Sequence, residues 1–194
     1  MKNLLSLTFS LFLCVCYSFA QISHELIPYV KDGKYGYSDI NRKIVIEPKY
    51  EAAYLFYDGL AAVKLGDKMG YIDSKGTIVI PLKYDACGNF ANGFGQVQIG
   101  GKWTAVDKTG KELTALKYEM IYKFTDGLAP VQSGIKFGFI NTKGEEIIKP
   151  VYATGTEFKD GATAVMDDAG KISYLGVDGK KLFDKSFSEG LAFS

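Results

Sequence analysis

The chain has 194 residues, with 23 basic and 22 acidic side chains, 47% hydrophobic residues and 23% charged residues. That length and apolar share suffice for a folded core and exclude global disorder, and the near-zero net charge gives no electrostatic drive towards nucleic acid or anionic membranes. Abundant glycine (22) with 13 Tyr, 13 Phe and only 5 Pro points to short strands and tight turns rather than helices.

Residues 1–20 differ from the rest. Lys2 is followed by a nearly unbroken apolar run from Leu4 to Phe19, and Ser18-Phe19-Ala20 forms a small-x-small cleavage site before Gln21. This reads as a secretory signal peptide, so an exported protein is expected, whether periplasmic, attached to the cell surface or released. A transmembrane anchor would want a longer apolar run with basic flanks, so no membrane span is expected after cleavage. Lipid attachment at Cys14 or Cys16 would want a small preceding residue, where Leu13 and Val15 stand. The mature chain keeps one cysteine, Cys87, which excludes an intramolecular disulfide and suits a small buried hydrophobe.

From residue 26 onward the chain repeats itself. Tyr50, Tyr84, Tyr118 and Tyr152 are spaced by 34 residues; so are Phe56, Phe90, Phe124 and Phe158, and Gly59, Gly93, Gly127 and Gly161. Val63, Val97, Val131 and Val165 keep the same step. The units run over residues 26–59, 60–93, 94–127, 128–161 and 162–194, the last with one inserted residue and the tail phrase FSEGLAFS, which echoes FTDGLAPV at 124–131.

Each unit reads as three short strands and a linker. In the second unit these are Leu60 to Leu65, Met69 to Asp73 and Thr77 to Ile80, the last stopped by Pro81. The turn glycine Gly76 recurs as Gly110, Gly144 and Gly179, with Arg42 in its place in the first unit. The expected fold is all-β: tandem three-stranded hairpin units stacked as a short solenoid-like array, with a small closed β-propeller as the alternative. One such unit buries too little apolar surface to offset its ordering entropy, so the recurrent Tyr and Phe are expected to plug each unit onto the next.

These features resemble the WG-repeat family, named for a Trp-Gly pair in its second strand. The corresponding segments are KYGYSD (34 to 39), KMGYID (68 to 73), KWTAVD (102 to 107), KFGFIN (136 to 141) and KISYLG (171 to 176). Only Trp103 supplies the eponymous tryptophan, and there the glycine is Thr104; Tyr35, Met69, Phe137 and Ile172 fill the column elsewhere. The resemblance implies a bacterial, exported repeat protein and no particular ligand.

Catalytic groups are scarce. The single histidine, His24, lies next to the expected cleavage site, which leaves no Ser/His/Asp or His/Cys arrangement; no metal or cofactor is expected. Two carboxylates would suffice for glycoside hydrolysis. The recurrent sets (Asp58, Asp126 and Asp160; Asp39, Asp73 and Asp107) sit where Asp caps turns, so they are read as bonding local backbone. Glu47, Glu51, Glu112 and Glu157 read as unrepeated, scattered acids. The lysine column (Lys34, Lys68, Lys102, Lys136 and Lys171) reads as solvated strand starts.

What remains are aromatics that read as non-repeated: Tyr54, Tyr57, Trp103 and Tyr122. They are the candidate surface for a protein or glycan partner. The expected function is a non-enzymatic binding or scaffold module, with a glycan hydrolase and a purely structural envelope component as alternatives.

Overall fold

A computed structural model describes residues 26–184. The expected signal peptide, His24 and the tail phrase at 187–194 lie outside the described residues.

Among the described residues every regular element is a strand, and chain order is also spatial order. The first sheet holds β1 (Ile27–Lys31), β2 (Lys34–Ser38) and β3 (Ile44–Tyr50). The second holds β4 (Ala52–Ala53), β5 (Ala61–Leu65), β6 (Lys68–Ile72) and β7 (Ile78–Tyr84). The third holds β8 (Ala86–Cys87), β9 (Phe94–Ile99) and β10 (Lys102–Asp107). The fourth holds β11 (Met120–Ile121), β12 (Leu128–Ser133), β13 (Lys136–Asn141) and β14 (Glu146–Tyr152). The fifth holds β15 (Thr154–Gly155), β16 (Ala162–Met166) and β17 (Ile172–Gly176).

All pairings are antiparallel between neighbours in sequence, so each sheet is a meander. The repeated all-β architecture is the expected one, with one refinement. The linker itself supplies a short leading strand (β4, β8, β11 or β15), which makes the full unit four-stranded, the kind of sheet that propellers use as blades.

Both faces of the inner strands are buried, which explains their near-continuous apolar reading. On β5 and β6, Ala61, Val63 and Ile72 pack back onto the first sheet, and Ala62 and Tyr71 pack forward onto the third. Every hydrophobic cluster among the described residues joins two consecutive sheets in this way. The recurrent aromatics sit at the junctions: Tyr50, Tyr84, Tyr118, Phe90, Phe124 and Phe158 are buried, with Phe56 and Tyr152 half-buried. Phe56 meets Tyr37 at 4.9 Å, Phe90 meets Tyr71 edge-on at 4.8 Å, and Phe158 meets Phe139 edge-on at 5.2 Å. At the third junction Ala105 is too small for this, and Phe94 pairs with Phe124 at 4.5 Å instead.

The reading of Pro81 as a strand stop needs correction. β7 runs through it to Tyr84 as the edge strand of its sheet, where a missing N–H is tolerated. The strand bulges there: Met69 pairs with Tyr84 and Tyr71 with Ile80, so three residues of β7 oppose Gly70 alone. A Cβ on Gly70 would sit 2.5 Å from the Ile80 carbonyl oxygen; on Gly36 it would sit 2.2 Å from Ile46 O, and on Gly138 2.5 Å from Ile148 O. The recurrent glycine therefore makes room for the folded-over backbone of the edge strand. Where Thr104 replaces it, that edge strand is lost and only single bridges remain, from Trp103 to Tyr118 and Val106 to Glu112. Thr104 is fully buried, and its hydroxyl bonds Thr114 O at 2.8 Å in place of the ladder.

Candidate functional site

Most recurrent polar residues have structural partners. Asp39, Asp73, Asp107 and Asn141 each accept from the N–H groups two and four residues ahead, closing the second hairpin turn as expected. The turn residues that follow take the left-handed conformation, Arg42 included, with φ of 65°. Backbone N–H donors hold the carboxyls of Asp73 (chiefly that of Thr77) below the usual range; for Asp107 the Thr109 hydroxyl is the main cause.

The Asp58 set differs from its expected local role. Asp58 and Asp126 sit at positive φ in two-residue Asp-Gly turns, and their carboxylates accept from the N–H of Gly93 (2.7 Å) and Gly161 (2.8 Å) in the next unit. Asn92 donates to Phe124 O at 2.8 Å in the same sense.

The lysine column is not merely solvated. Lys34 pairs with Glu51 (2.9 Å), Lys68 with Asp85 (2.6 Å), and Lys102 with Glu119. Each of these carboxylates also accepts from the turn N–H of the following sheet: Gly66 at 3.0 Å, Gly100 at 2.7 Å and Gly134 at 2.8 Å. The lysine partner is the main reason their carboxyls are held below the usual range. Glu51 is thus one of a repeated set, and Glu112 is matched by Glu146, each receiving a Tyr hydroxyl and a Lys ammonium. Both acids had read as unrepeated; their roles are structural and carried by contacts 15 to 29 residues apart in sequence, which no local motif reveals. Cys87 is half-buried, and burial pushes its thiol up to about 12, which suits the small-hydrophobe reading.

The four candidate aromatics are spread over three sheets. Tyr54 and Tyr57 flank Leu55 on the linker between β4 and β5, exposed by 47%, 43% and 49%. Trp103, on β10, is half-buried against the cluster joining the third and fourth sheets. Tyr122 is exposed on the linker between β11 and β12 and occupies the position of Tyr54 two units on, so these two share a repeat column after all.

Tyr122 lines a groove of about 340 Å³ between the fourth and fifth sheets, together with Pro130, Phe137, Thr154, Gly155 and Glu157. The Tyr122 and Phe137 rings are stacked with centroids 6.2 Å apart and planes at 28°. Gly155 places no side chain where the equivalent positions carry Ala53, Cys87 or Ile121. At the rim, Lys123 Nζ lies 3.1 Å from Glu157 Oε2. The sequence signal for this groove is the glycine in an otherwise filled column, visible only once the junctions are aligned. Among the described residues no group of three or more His, Cys, Asp or Glu is gathered to hold a metal.

Residues 35–68, 69–103, 103–134 and 137–171 match the model of the WG containing repeat. The chain belongs to this family. The matched WG units begin within β2, β6, β10 and β13, and the residue standing for the tryptophan (Met69, Trp103 or Phe137) packs at a junction or lines the groove. No curated protein matches the sequence.

Solved structures do resemble it. "Crystal structure of the eukaryotic initiation factor" is similar with a TM-score of 0.56 at 14% identity, over 84% of this chain and 52% of that one. "KlHsv2 with loop 6CD replaced by a Gly-Ser linker" gives 0.48 at 13% identity, over 88% and 66%. The WD40 beta propeller domain of Doa1 gives 0.41 at 13%, over 81% and 64%. The WG chain spans about half the length of the first of these (52%), and the likeness concerns fold alone. No helix among the described residues is long and apolar enough to cross a membrane.

Proposed function

We propose that this WG-repeat chain is an exported, non-catalytic binding or scaffold module that presents a surface to a protein or glycan partner. One observation carries the reading. The recurrent acids and lysines are engaged in turns and sheet-to-sheet contacts, whereas the exposed aromatics of the linkers change from unit to unit. A framework that repeats while its exposed side chains vary is the arrangement by which repeat proteins display a binding surface. The apolar run at residues 4–19 supports export.

The hydrolase alternative needs two facing carboxylates in a cleft. Glu51 and Glu112 are each engaged by lysine, and Glu157 is paired with Lys123. The test has two arms. Cell fractionation with N-terminal sequencing should find the mature chain outside the cytoplasm beginning at Gln21. Pull-down and glycan-array binding with residues 21–194 should yield a saturable partner; none in either assay would leave only the structural role.

A further inference from the structure

The groove between the fourth and fifth sheets carries a more specific reading, which rests on the binding-module proposal. We propose that it is a carbohydrate site taking an uncharged sugar ring, with the Tyr122 and Phe137 faces as the platform and the Lys123–Glu157 pair as the polar rim.

The chemistry of the walls selects the ligand class. Two rings with centroids 6.2 Å apart and planes at 28°, with Pro130 also lining the groove, give it an apolar wall. Such a surface favours a flat C–H face or another apolar group. The rim offers a donor and an acceptor side by side, because Lys123 and Glu157 lie 3.1 Å apart with side chains 53% and 43% exposed. Thr154 adds a hydroxyl group to the lining residues.

Each alternative occupant meets a specific cost. A cationic side chain seeking Glu157 faces Lys123, and an anion seeking Lys123 faces Glu157. The Lys136–Asp168 pair beside Phe137 is likewise neutral, so no field of one sign attracts either. A wholly apolar ligand would desolvate the rim groups without replacing their hydrogen bonds. A pyranose ring has apolar C–H faces and a circumference of hydroxyls that both donate and accept, which answers platform and rim together. The volume of about 340 Å³ lies at the small end of ligand pockets, suited to one or two sugar rings rather than a folded partner.

The site is also peculiar to this junction. In the aligned column Leu55, Asn89, Lys123 and Glu157, only the last two neighbours bring opposite charges together. Gly155 is the only glycine in its column. The common framework therefore carries one junction altered in floor and rim at once.

The experiment is a titration of residues 21–194, followed by calorimetry and by amide chemical shifts. The probes are cellohexaose, chitohexaose, mannohexaose and a broad array of neutral glycans, with hexagalacturonate as the acidic control and pentalysine as the basic one. At least one neutral oligosaccharide should bind, and the acidic and basic controls should not. Tyr122→Ala and Glu157→Ala should each weaken binding about tenfold, whereas Tyr122→Phe, which keeps the ring face, should change it about twofold or less. Both positions are exposed, so melting temperature should stay at the wild-type value and separate lost binding from lost fold. Absence of neutral-glycan binding, or binding indifferent to Tyr122→Ala, overturns the assignment. Pentalysine or a pulled-down protein displaced by the same variants also overturns it, while leaving the binding-module proposal standing. An empty result in every assay overturns both.

Discussion

The hydroxyl of Tyr118 donates to Oε1 of Glu146 at 2.8 Å, reaching from one sheet to the edge strand of the next. Lys117 completes the arrangement, 2.7 Å from the same oxygen and 4.8 Å from the centre of the Tyr118 ring. Tyr84, Glu112 and Lys83 repeat it one unit earlier. One unit earlier again, Tyr50 and Lys49 are in place, but the acid position is Ile78, and the buried Tyr50 hydroxyl has no partner.

Ile78→Glu should therefore stabilise the protein. Ile78 is 51% exposed, so little packing is lost, and the new carboxylate supplies an acceptor worth about 1 kcal/mol. Urea unfolding measures it. Combining the change with Tyr50→Phe should erase the gain, because the donor is then gone; a gain that survives would place its cause elsewhere.

Gly70→Ala should be among the most damaging single-methyl additions in the chain. The added Cβ would lie 2.5 Å from Ile80 O and 2.7 Å from Pro81 O, both backbone atoms of the bulged edge strand. The cost should exceed about 2 kcal/mol, with loss of amide-exchange protection along residues 78–84. Gly33→Ala is the control. It meets nothing within 4 Å and bears only the strain of its φ of 74°, so residues 78–84 should keep their protection.

Phe90→Ala should cost about 3–5 kcal/mol, as other buried aromatics do. The ring is 2% exposed and stands edge-on to Tyr71 across the second junction. An unchanged melting midpoint would contradict the packing of consecutive sheets described above.

Stability should have a flat top in pH with two shoulders. Glu51, Asp85, Glu119 and Glu146 are held below their ordinary values, chiefly by lysine. Their contribution is complete above the unfolded carboxylate range of about 4 and disappears as pH falls through the lower folded values. At the alkaline end burial pushes Tyr118 up to about 12, and Tyr37 and Tyr71 are raised by burial too. The unfolded chain ionises these phenols near pH 10, so stability is complete below that value and lost as pH rises through the folded ones. Chemical denaturation from pH 3 to 11 checks both limbs; a decline centred near neutrality would contradict the assignment.

The repeat period, the strands and the buried aromatic columns were legible in the sequence because each is a local or strictly periodic signal. The short strand at Ala52–Ala53 was not: two small residues carry no strand pattern, and they pair only because β5 lies alongside. Pro81 misled for a related reason, since its effect depends on whether the strand is an edge. Glu51 and Glu112 looked solitary because their lysine and tyrosine partners lie 17 to 29 residues away. Of the groove, Tyr122 was found from exposure of type. Gly155 was not, because an absent side chain leaves no mark until neighbouring units are superimposed.

The contacts of Glu51 reach back 17 residues to Lys34 and forward 15 to Gly66, and the same offsets recur for Asp85 and Glu119. Every such bond is written relative to its own unit. Excision of residues 61–94 would join Leu60 to Gly95 with each remaining offset intact, whereas removal of half that length would sever two sets of partners at once. Duplication and loss of whole units by recombination is accordingly the cheapest way for such a chain to change length, and natural variation in its size should fall in steps of one unit.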